Sequence, residues 1–132
     1  MWLGRVLVYR DEICVAFLDL NPLNDGHVLV VPKVAIERLT DLESEIAAQL
    51  FRVAQKILSA IKMADSNCEG ANIFLSDGKI AGQELPHVHL HVVPRNARDG
   101  IRISFGKSVQ RAEREQLNQI AKNIASKIQG MD

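Results

Sequence analysis

Short runs of β-branched and apolar residues mark the first third of the chain and predict β-strands. The runs Arg5–Tyr9 and Ile13–Leu18 are separated by three charged residues, which predicts a hairpin. The turn-rich segment 21–26 leads into a third run, His27–Val31, which Pro32 ends. Because this third run is apolar on both faces, we expect it to form a central strand.

A helical spacing of apolar residues follows after Thr40. Residues 40–43 have the spacing of a capping box, which is typical of a helix start. The period predicts a long amphipathic helix over Leu42–Met63, with an apolar face made of Leu42, Ile46, Leu50, Val53, Ile57 and Ile61. A second helix is predicted from Val109 to just before Gly130, with apolar positions at Leu117, Ile120, Ile124 and Ile128.

Two more strands complete the pattern. Ala71–Leu75 and His87–Val93 have strand character, Pro94 ends the second of them, and a glycine-containing loop over 77–86 joins the two. A length of 132 residues with 47% hydrophobic content suits one compact domain over residues 1–132. We therefore expect an α+β fold in which a five-stranded antiparallel sheet carries its helices on one side.

Three of the four histidines lie in the last predicted strand, at His87, His89 and His91. Successive side chains of a strand point to opposite faces, so these imidazoles are expected on one face at intervals of roughly 6.6 Å. The other face would be apolar and would pack on the core through Val88, Leu90 and Val92. Because the unperturbed pKa of imidazole is about 6.5, each ring can act as nucleophile, proton donor, proton acceptor or metal ligand.

The residues alone leave three interpretations of this row open. Histidines are most often polar surface residues or satisfied core residues, although strict alternation of three is improbable as an accident. Imidazoles two residues apart can also converge on a zinc ion. The nearby Asp77, Glu84 and Asp99 form no evident carboxylate cluster for magnesium. The third interpretation is phosphate chemistry.

The loop ahead of the histidines favours that third interpretation. Gly78 and Gly82 permit a ligand to approach the backbone closely, and the Gln83 amide offers both a donor and an acceptor. Taken alone, such a loop is as readily a plain turn as a phosphate cradle. Its position beside three imidazoles raises the weight of the phosphate interpretation.

Composition narrows the class of partner and the compartment. Sixteen basic residues balance sixteen acidic ones, which argues against a nonspecific nucleic-acid or membrane-surface binder and favours a small-molecule partner. Two cysteines are too few for a disulfide framework or a four-cysteine zinc site, so a reducing, cytoplasmic setting is expected. No apolar stretch approaches the roughly 18 residues of a membrane span, and the first residues lack the form of a signal peptide.

With these residues in view, the chain resembles the histidine triad (HIT) family of nucleotide hydrolases and transferases. The resemblance lies in Ala16–Asp19 with Pro22, in Gly26–Lys33, in Asp77–Gln83 and in the triad followed by Pro94 and Arg95. It implies a HIT-like fold with one long central helix and a C-terminal helix. The family branch that transfers nucleotides to sugar phosphates usually carries glutamine in place of the third histidine. Because this chain has His91, that branch is disfavoured.

The resemblance implies covalent catalysis by the middle histidine. His89 would attack the α-phosphorus of a nucleotide and form a transient nucleotidyl-imidazole. Its tautomer would be fixed by a hydrogen bond from its other ring nitrogen to backbone near the third histidine. His87 would lie against the phosphates and His91 would hold the row in register. His27 would pack behind His87 in a proton-sharing pair.

Substrate contacts are also implied by the resemblance. Asp19 lies at the ribose-binding position, where a carboxylate accepts hydrogen bonds from the 2′ and 3′ hydroxyls, although turn capping is the alternative. Gln83 would bind near the atom that bridges the α-phosphate and the leaving group. Phe17 and Leu18 would supply a base pocket, with core packing as the alternative.

Three loop positions concern the phosphates and the leaving group. Gly82 would allow close approach of the backbone to phosphate. Ser76 stands where a larger amide side chain is common, which shortens one phosphate contact. Glu84 stands where a serine or threonine is common, and its carboxylate would repel a polyphosphate.

The resemblance thus implies a hydrolase that releases a nucleoside monophosphate, with purine favoured, from a phosphoramidate or a dinucleoside polyphosphate. It implies no structural zinc and no required cofactor, with Mg²⁺ only as a companion of polyphosphate substrates. It also implies a homodimer. Two alternatives stand beside it: a non-enzymatic nucleotide-binding or regulatory module, suggested by Glu84 and Ser76, and a histidine-coordinated metal site.

Overall fold

A five-stranded antiparallel sheet organises the chain up to Ile101 in the computed structural model, which describes residues 4–131. Its strands are β1 (Leu7–Arg10), β2 (Cys14–Leu18), β3 (Val28–Pro32), β4 (Gly70–Phe74) and β5 (Leu90–Arg95). They lie in the order β1-β2-β3-β5-β4. The α+β architecture predicted from the sequence is thereby confirmed.

The strand β3 is the middle strand of the sheet, as predicted, and both of its faces are covered. All five of its residues are buried. Val28 and Val30 belong to the main core cluster, while Leu29 and Val31 pack with Val15 and Phe17 on the opposite face of the sheet. Strand β2 pairs with one edge of β3, and β5 pairs with the other.

The long helix α1 (Ser44–Ala64) covers one face of the sheet. Its buried positions are Leu50, Val53, Ala54 and Ile57, and these belong to the same cluster as the apolar side chains of β5. Burying a large aliphatic side chain contributes about 1.5–3 kcal/mol, so this stripe accounts for much of the attachment of α1 to the sheet.

The predicted capping box at the start of α1 is wrong. Residues Leu39–Asp41 form a short 3₁₀ turn, α1 begins at Ser44, and Glu43 precedes it without a side-chain cap. A long-range contact explains the difference, because the Leu39 N–H donates to the carboxylate of Asp77 at 2.7 Å. The chain ahead of α1 is therefore tied to the loop that precedes the histidines.

The last strand differs from its predicted extent in a way that affects the histidines. It begins at Leu90 rather than His87, and it includes Pro94, which faces Ala71 in the ladder with β4. The His87 N–H bonds the carbonyl of Leu85 at 2.8 Å, which bends the chain ahead of the strand. The expected division of faces survives on the apolar side, because Val88, Leu90 and Val92 all lie in the main core.

The second compact unit begins at Arg102 and contains α2 (Arg114–Gln129). The helix starts five residues later than predicted from Val109, and its apolar residues Leu117, Ile120, Ile124 and Ile128 are exposed. Because the chain divides into two compact units, a single domain over 1–132 stays a prediction. Neither α1 nor α2, the helices of residues 4–131, combines the length and the apolar character that crossing a membrane requires.

Candidate active site

Three of the four histidines form a connected row beside the ends of β3 and β5. His27 directly precedes β3, His89 directly precedes β5, and His91 lies within β5. The Nε2 of His27 lies 2.9 Å from the Nδ1 of His91. The ring centroids of His89 and His91 are 4.9 Å apart with the planes tilted by 60°. The order in space is therefore His27, His91, His89.

The ring of His89 is oriented by the main chain. Its Nδ1 lies 2.9 Å from the carbonyl oxygen of His87, and the ring is buried. Because a carbonyl can only accept, Nδ1 carries the proton and donates it, which leaves the lone pair on Nε2. The neutral ring thus has the tautomer that a nucleophile at Nε2 requires.

This hydrogen bond corrects one expectation from the sequence. The supporting backbone group was expected near the third histidine, whereas the structure provides it from the first, His87. The cause is the bend before β5. Since residues 87–89 precede the strand, the carbonyl two residues back can turn towards the imidazole instead of pairing with a neighbouring strand.

The ring of His87 is directed at the end of β3. Its Nε2 donates to the carbonyl oxygen of Pro32 at 2.8 Å. The expectation that His27 pairs with His87 is therefore wrong, because His27 bonds His91 instead. The physical reason is that His27 directly precedes β3 and His91 lies in the neighbouring β5, with Val28 opposite Val92 and Leu29 opposite His91. The contact of His87 with phosphates stays a prediction.

His91 is held between an aromatic ring and two imidazoles. Phe74 of β4 stacks on it, with centroids 4.2 Å apart and an interplanar angle of 11°. Burial, together with the nearby rings of His89 and His27, lowers the pKa of His91 to about 4. Burial also lowers the pKa of His27, although the carboxylate of Asp19 opposes that shift. Both shifts favour the neutral ring at pH 7.

Sequence reasoning missed Phe74, although a signal for it existed. The residue lies in a strand that was predicted, and it is the direct partner of His91 in the ladder between β4 and β5. Pairing those two predicted strands in register would have placed an aromatic ring next to the third histidine.

Asp19 lies at the site, immediately after β2. One carboxylate oxygen is 3.6 Å from the Nε2 of His27, and the other accepts the N–H of Asn21 at 2.9 Å. The Asp19 N–H also donates to the His27 carbonyl. The carboxylate therefore caps its turn, and the hydrogen bonds to ribose stay a prediction.

Both ends of the Gln83 amide are hydrogen-bonded to backbone groups. Its Oε1 accepts the Gly78 N–H at 2.7 Å, and its Nε2 donates to the carbonyls of Glu37 at 2.8 Å and Leu85 at 3.0 Å. This glutamine thus pins the loop against the segment ahead of α1. Its contact with the bridging atom of a substrate stays a prediction.

The other predicted contact residues divide between the loop and the core. Gly82 has φ of +98° and ends a short 3₁₀ turn, and a Cβ added there would meet only the Ser76 hydroxyl, at 3.9 Å. Backbone conformation, rather than crowding, therefore favours glycine. Phe17 is completely buried in the smaller core cluster, and Leu18 packs in part on the main core. Core packing accounts for both, and their role in a base pocket stays a prediction.

Candidate metal ligands among residues 4–131 come together at Asp19, His27 and His91, whose ligand atoms lie within 4.8 Å of one another. Metal coordination would require a protonation state of His27 that conflicts with its hydrogen bonds. Coordination through Nε2 would move its proton to Nδ1, where the N–H of Leu23 already points from 3.1 Å. Metal-bound histidines instead donate that second N–H to an acceptor. The three side chains thus fit a metal ion poorly.

Comparison with known proteins agrees with the fold and the histidine motif. The family model of the HIT domain matches residues 4–98. A crystal structure of a HIT family member from Bacillus subtilis superposes with a TM-score of 0.84 at 34% identity, covering 94% of this chain and 88% of that one. The chain belongs to the HIT family.

The relatives include proteins with and without a named activity. An uncharacterized HIT-like protein of Methanocaldococcus jannaschii is 40% identical over 101 residues, which is 76% of this chain and 77% of that protein. The asymmetrical bis(5′-nucleosyl)-tetraphosphatase of Schizosaccharomyces pombe is 40% identical over 73% of this chain and 52% of its own length. The adenosine 5′-monophosphoramidase of Saccharomyces cerevisiae is 31% identical over 89% and 70%, respectively.

Proposed function

We propose that this protein is a nucleotide hydrolase in which the Nε2 of His89 attacks the α-phosphorus of its substrate. The observation that carries the proposal is the 2.9 Å hydrogen bond between Nδ1 of His89 and the carbonyl of His87. That bond leaves a lone pair on Nε2 and prevents rotation of the ring. Relatives named for hydrolysis of dinucleoside polyphosphates and phosphoramidates support the choice of reaction.

The reaction divides into two displacements at phosphorus. The Nε2 lone pair forms an N–P bond while the bond to the leaving group breaks, and the leaving group takes a proton from solvent. Water then attacks the same phosphorus, the N–P bond breaks, and a nucleoside monophosphate is released. Two easier steps replace one difficult step, which is the general advantage of covalent catalysis.

The surrounding residues would bind and orient the nucleotide. His87 would lie against the phosphates, His91 would donate a hydrogen bond to them, and Asp19 would accept hydrogen bonds from the ribose hydroxyls. Placing the phosphorus in line with Nε2 accounts for a larger part of the rate than any single proton transfer, because positioning removes several kcal/mol of entropic barrier. A purine nucleotide is the small-molecule partner that this proposal assigns.

Charge beside the loop favours a phosphoramidate over a dinucleoside polyphosphate. A cavity of about 570 Å³ is lined by Gln83 and by the charged residues Glu37, Lys79 and Glu84. We assign the leaving group to this cavity because Gln83, the expected contact of the bridging atom, lines it. Two carboxylates against one ammonium group then make it a poor place for additional phosphates and a better one for a neutral or cationic amine. Both substrate classes remain within the proposal, with the phosphoramidate first.

The remaining assignments follow from the family resemblance and complete the proposal. No resident cofactor is needed, and Mg²⁺ would enter only with a polyphosphate. The protein would act as a homodimer in the cytoplasm. Nucleic acids and membranes are not among its expected partners, in keeping with sixteen basic and sixteen acidic residues.

The proposed nucleophile is tested by trapping the intermediate. Adenosine 5′-phosphoramidate mixed with the protein and quenched within milliseconds is expected to leave an adenylyl group on His89, identified by peptide mass spectrometry. His89→Ala is expected to lose turnover by at least about 10³-fold while it still binds AMP in a calorimetric titration.

Other outcomes separate the alternatives. Turnover retained in His89→Ala, or an adduct on a different residue, would contradict the assignment. Binding of AMP without turnover by the unaltered protein would favour the non-enzymatic nucleotide-binding module. Stoichiometric zinc, lost together with activity on chelation, would favour the metal site.

A further inference from the structure

We propose that the backbone N–H of Leu23 is a positioning group that sets the proton arrangement of His27 and His91. In this arrangement each ring is neutral and protonated on Nε2. His91 is then a fixed hydrogen-bond donor, and the pair does not pass a proton to the leaving group. This inference rests on the proposed function for its consequence in catalysis, whereas the proton arrangement itself is a property of the unliganded protein.

The arrangement begins at a group that cannot change its role. The Leu23 N–H points at the Nδ1 of His27 from 3.1 Å. A peptide N–H only donates and does not ionise at ordinary pH, so the Nδ1 of His27 must keep its lone pair. A neutral His27 therefore has its proton on Nε2. In a doubly protonated ring, the Nδ1–H of His27 would point at the Leu23 N–H, so that two donors would face each other.

The same reasoning determines which nitrogen of His91 carries the proton. The Nε2–H of His27 lies 2.9 Å from the Nδ1 of His91, so that Nδ1 is the acceptor. The single proton of a neutral His91 is then on Nε2. Phe74 stacked on the ring limits its rotation, so His91 cannot exchange its two nitrogens without disrupting the stack.

The charged and titratable groups that face the pair do not reverse this order. Asp19, after β2, is the carboxylate nearest to the His27 Nε2, at 3.6 Å, which exceeds a hydrogen-bond distance. His89, ahead of β5, faces His91 with its own proton committed to a backbone carbonyl. The stronger partner of His27 is thus His91.

The consequence concerns the source of the leaving-group proton. If neutral His91 gave up its Nε2 proton, it would become an anionic ring unless His27 supplied another. His27 could not regain a proton after passing one to His91, because the Leu23 amide cannot release a proton. The pair therefore stabilises charge on the phosphoryl oxygens by hydrogen bonding, and the amine leaving group obtains its proton elsewhere.

The proton arrangement can be measured directly in the unaltered protein. Two-bond ¹H–¹⁵N correlation spectra of the ¹⁵N-labelled chain at pH 7, assigned with His27→Gln and His91→Gln, distinguish the two tautomers and the charged ring. We expect the Nε2–H form for His27 and His91 and the Nδ1–H form for His89. An Nδ1–H form or a charged ring at either His27 or His91 would overturn the inference.

A pair of variants tests the role of the amide itself. Leu23→Pro removes the N–H, whereas Leu23→Ala keeps it, and the 52% exposure of this side chain makes the alanine a mild change. We expect Leu23→Pro to give mixed tautomers at His27 and His91 and about a 10-fold lower kcat with little change in KM, in line with the loss of one oriented hydrogen bond. Leu23→Ala should match the unaltered protein in both measurements.

Each result bears on one proposal. A folded Leu23→Pro variant with unchanged tautomers would refute the role of the amide, and a variant that does not fold leaves the decision to the spectra of the unaltered protein. Those spectra need no substrate. Failure to find an adduct on His89 would therefore count against the proposed hydrolase without affecting the measured proton arrangement.

Discussion

Glu84 is a single residue on which the choice of substrate depends. It is exposed and follows the buried Gln83, and it shares the cavity beside the loop with Glu37 and Lys79. A negative charge there repels the additional phosphates of a dinucleoside polyphosphate and leaves an amine leaving group unaffected or attracted.

Removing that charge should therefore change the substrate preference. Glu84→Gln is expected to raise kcat/KM for diadenosine tetraphosphate relative to adenosine phosphoramidate by about 3–10-fold. This is the size of effect expected from removing one charge that solvent and salt partly screen. The matched control Glu84→Asp keeps the charge and should keep the preference. The difference should shrink at high ionic strength. Equal ratios in Glu84→Gln and Glu84→Asp would show that charge is not the cause.

The histidines show how residue chemistry depends on local backbone. Their number and alternation were visible in the sequence and led to the correct motif and family. The partner of His27 was assigned wrongly, because pairing with His91 depends on the register between β3 and β5. The orientation of His89 likewise depends on a bend that alternation alone does not indicate.

At the scale of elements, the loop before β5 is held by one side chain. Gln83 bonds three backbone groups of residues 37, 78 and 85, and so connects the loop, the segment ahead of α1 and the start of the histidine motif. Its contribution is thus to stability as well as to the shape of the site.

Replacing this glutamine should destabilise the fold. Gln83→Ala leaves a buried N–H and two carbonyls without their partner, and we expect it to lower the free energy of unfolding by about 2–3 kcal/mol in urea denaturation. Gln116→Ala, at an exposed position of α2, is the control and should change stability by less than about 0.5 kcal/mol. If Gln83→Ala lost activity at unchanged stability, direct substrate contact would be its main role.

The observed element boundaries differ from the predicted ones where groups distant in sequence bond the backbone. The predicted capping box gave way to a 3₁₀ turn because Asp77 accepts the Leu39 N–H. The strand β5 began late because the His87 N–H bonds Leu85 and the Val88 N–H bonds Ile36. Asp77 and Ile36 are distant in sequence from the backbone groups that they bond, whereas Leu85 lies two residues from His87.

For the whole molecule, the imidazoles of His27 and His91 make stability depend on pH. The pKa of His91 is lowered to about 4 and that of His27 is also lowered, against about 6.5 in an unfolded chain. Between these values the unfolded chain binds protons that the folded chain does not. The free energy of unfolding must therefore decrease as the pH falls from 6.5 towards 4.

We expect the unaltered protein to lose about 1–2 kcal/mol of stability between pH 7 and pH 4.5, a range that allows for the partial exposure of His91. Urea denaturation at several pH values measures this loss, and His91→Gln should show a shallower dependence. Asp11, whose pKa is lowered to about 2 from 3.8, contributes mainly below this window. An equal slope in His91→Gln would refute the attribution to His91.

Periodicity and motif spacing were sufficient for the number and type of strands and helices, the core positions of β3 and α1, and membership of the HIT family. These properties depend on side chains that are close in sequence, so a linear pattern records them. The His27–His91 bond, the Phe74 stack and the bond between Gln83 and the Glu37 carbonyl join residues that are distant in sequence or strands whose register was not assigned. Folding alone brings such groups to within 3 or 4 Å of each other, and at those distances the proton positions and the chemistry of the site are established.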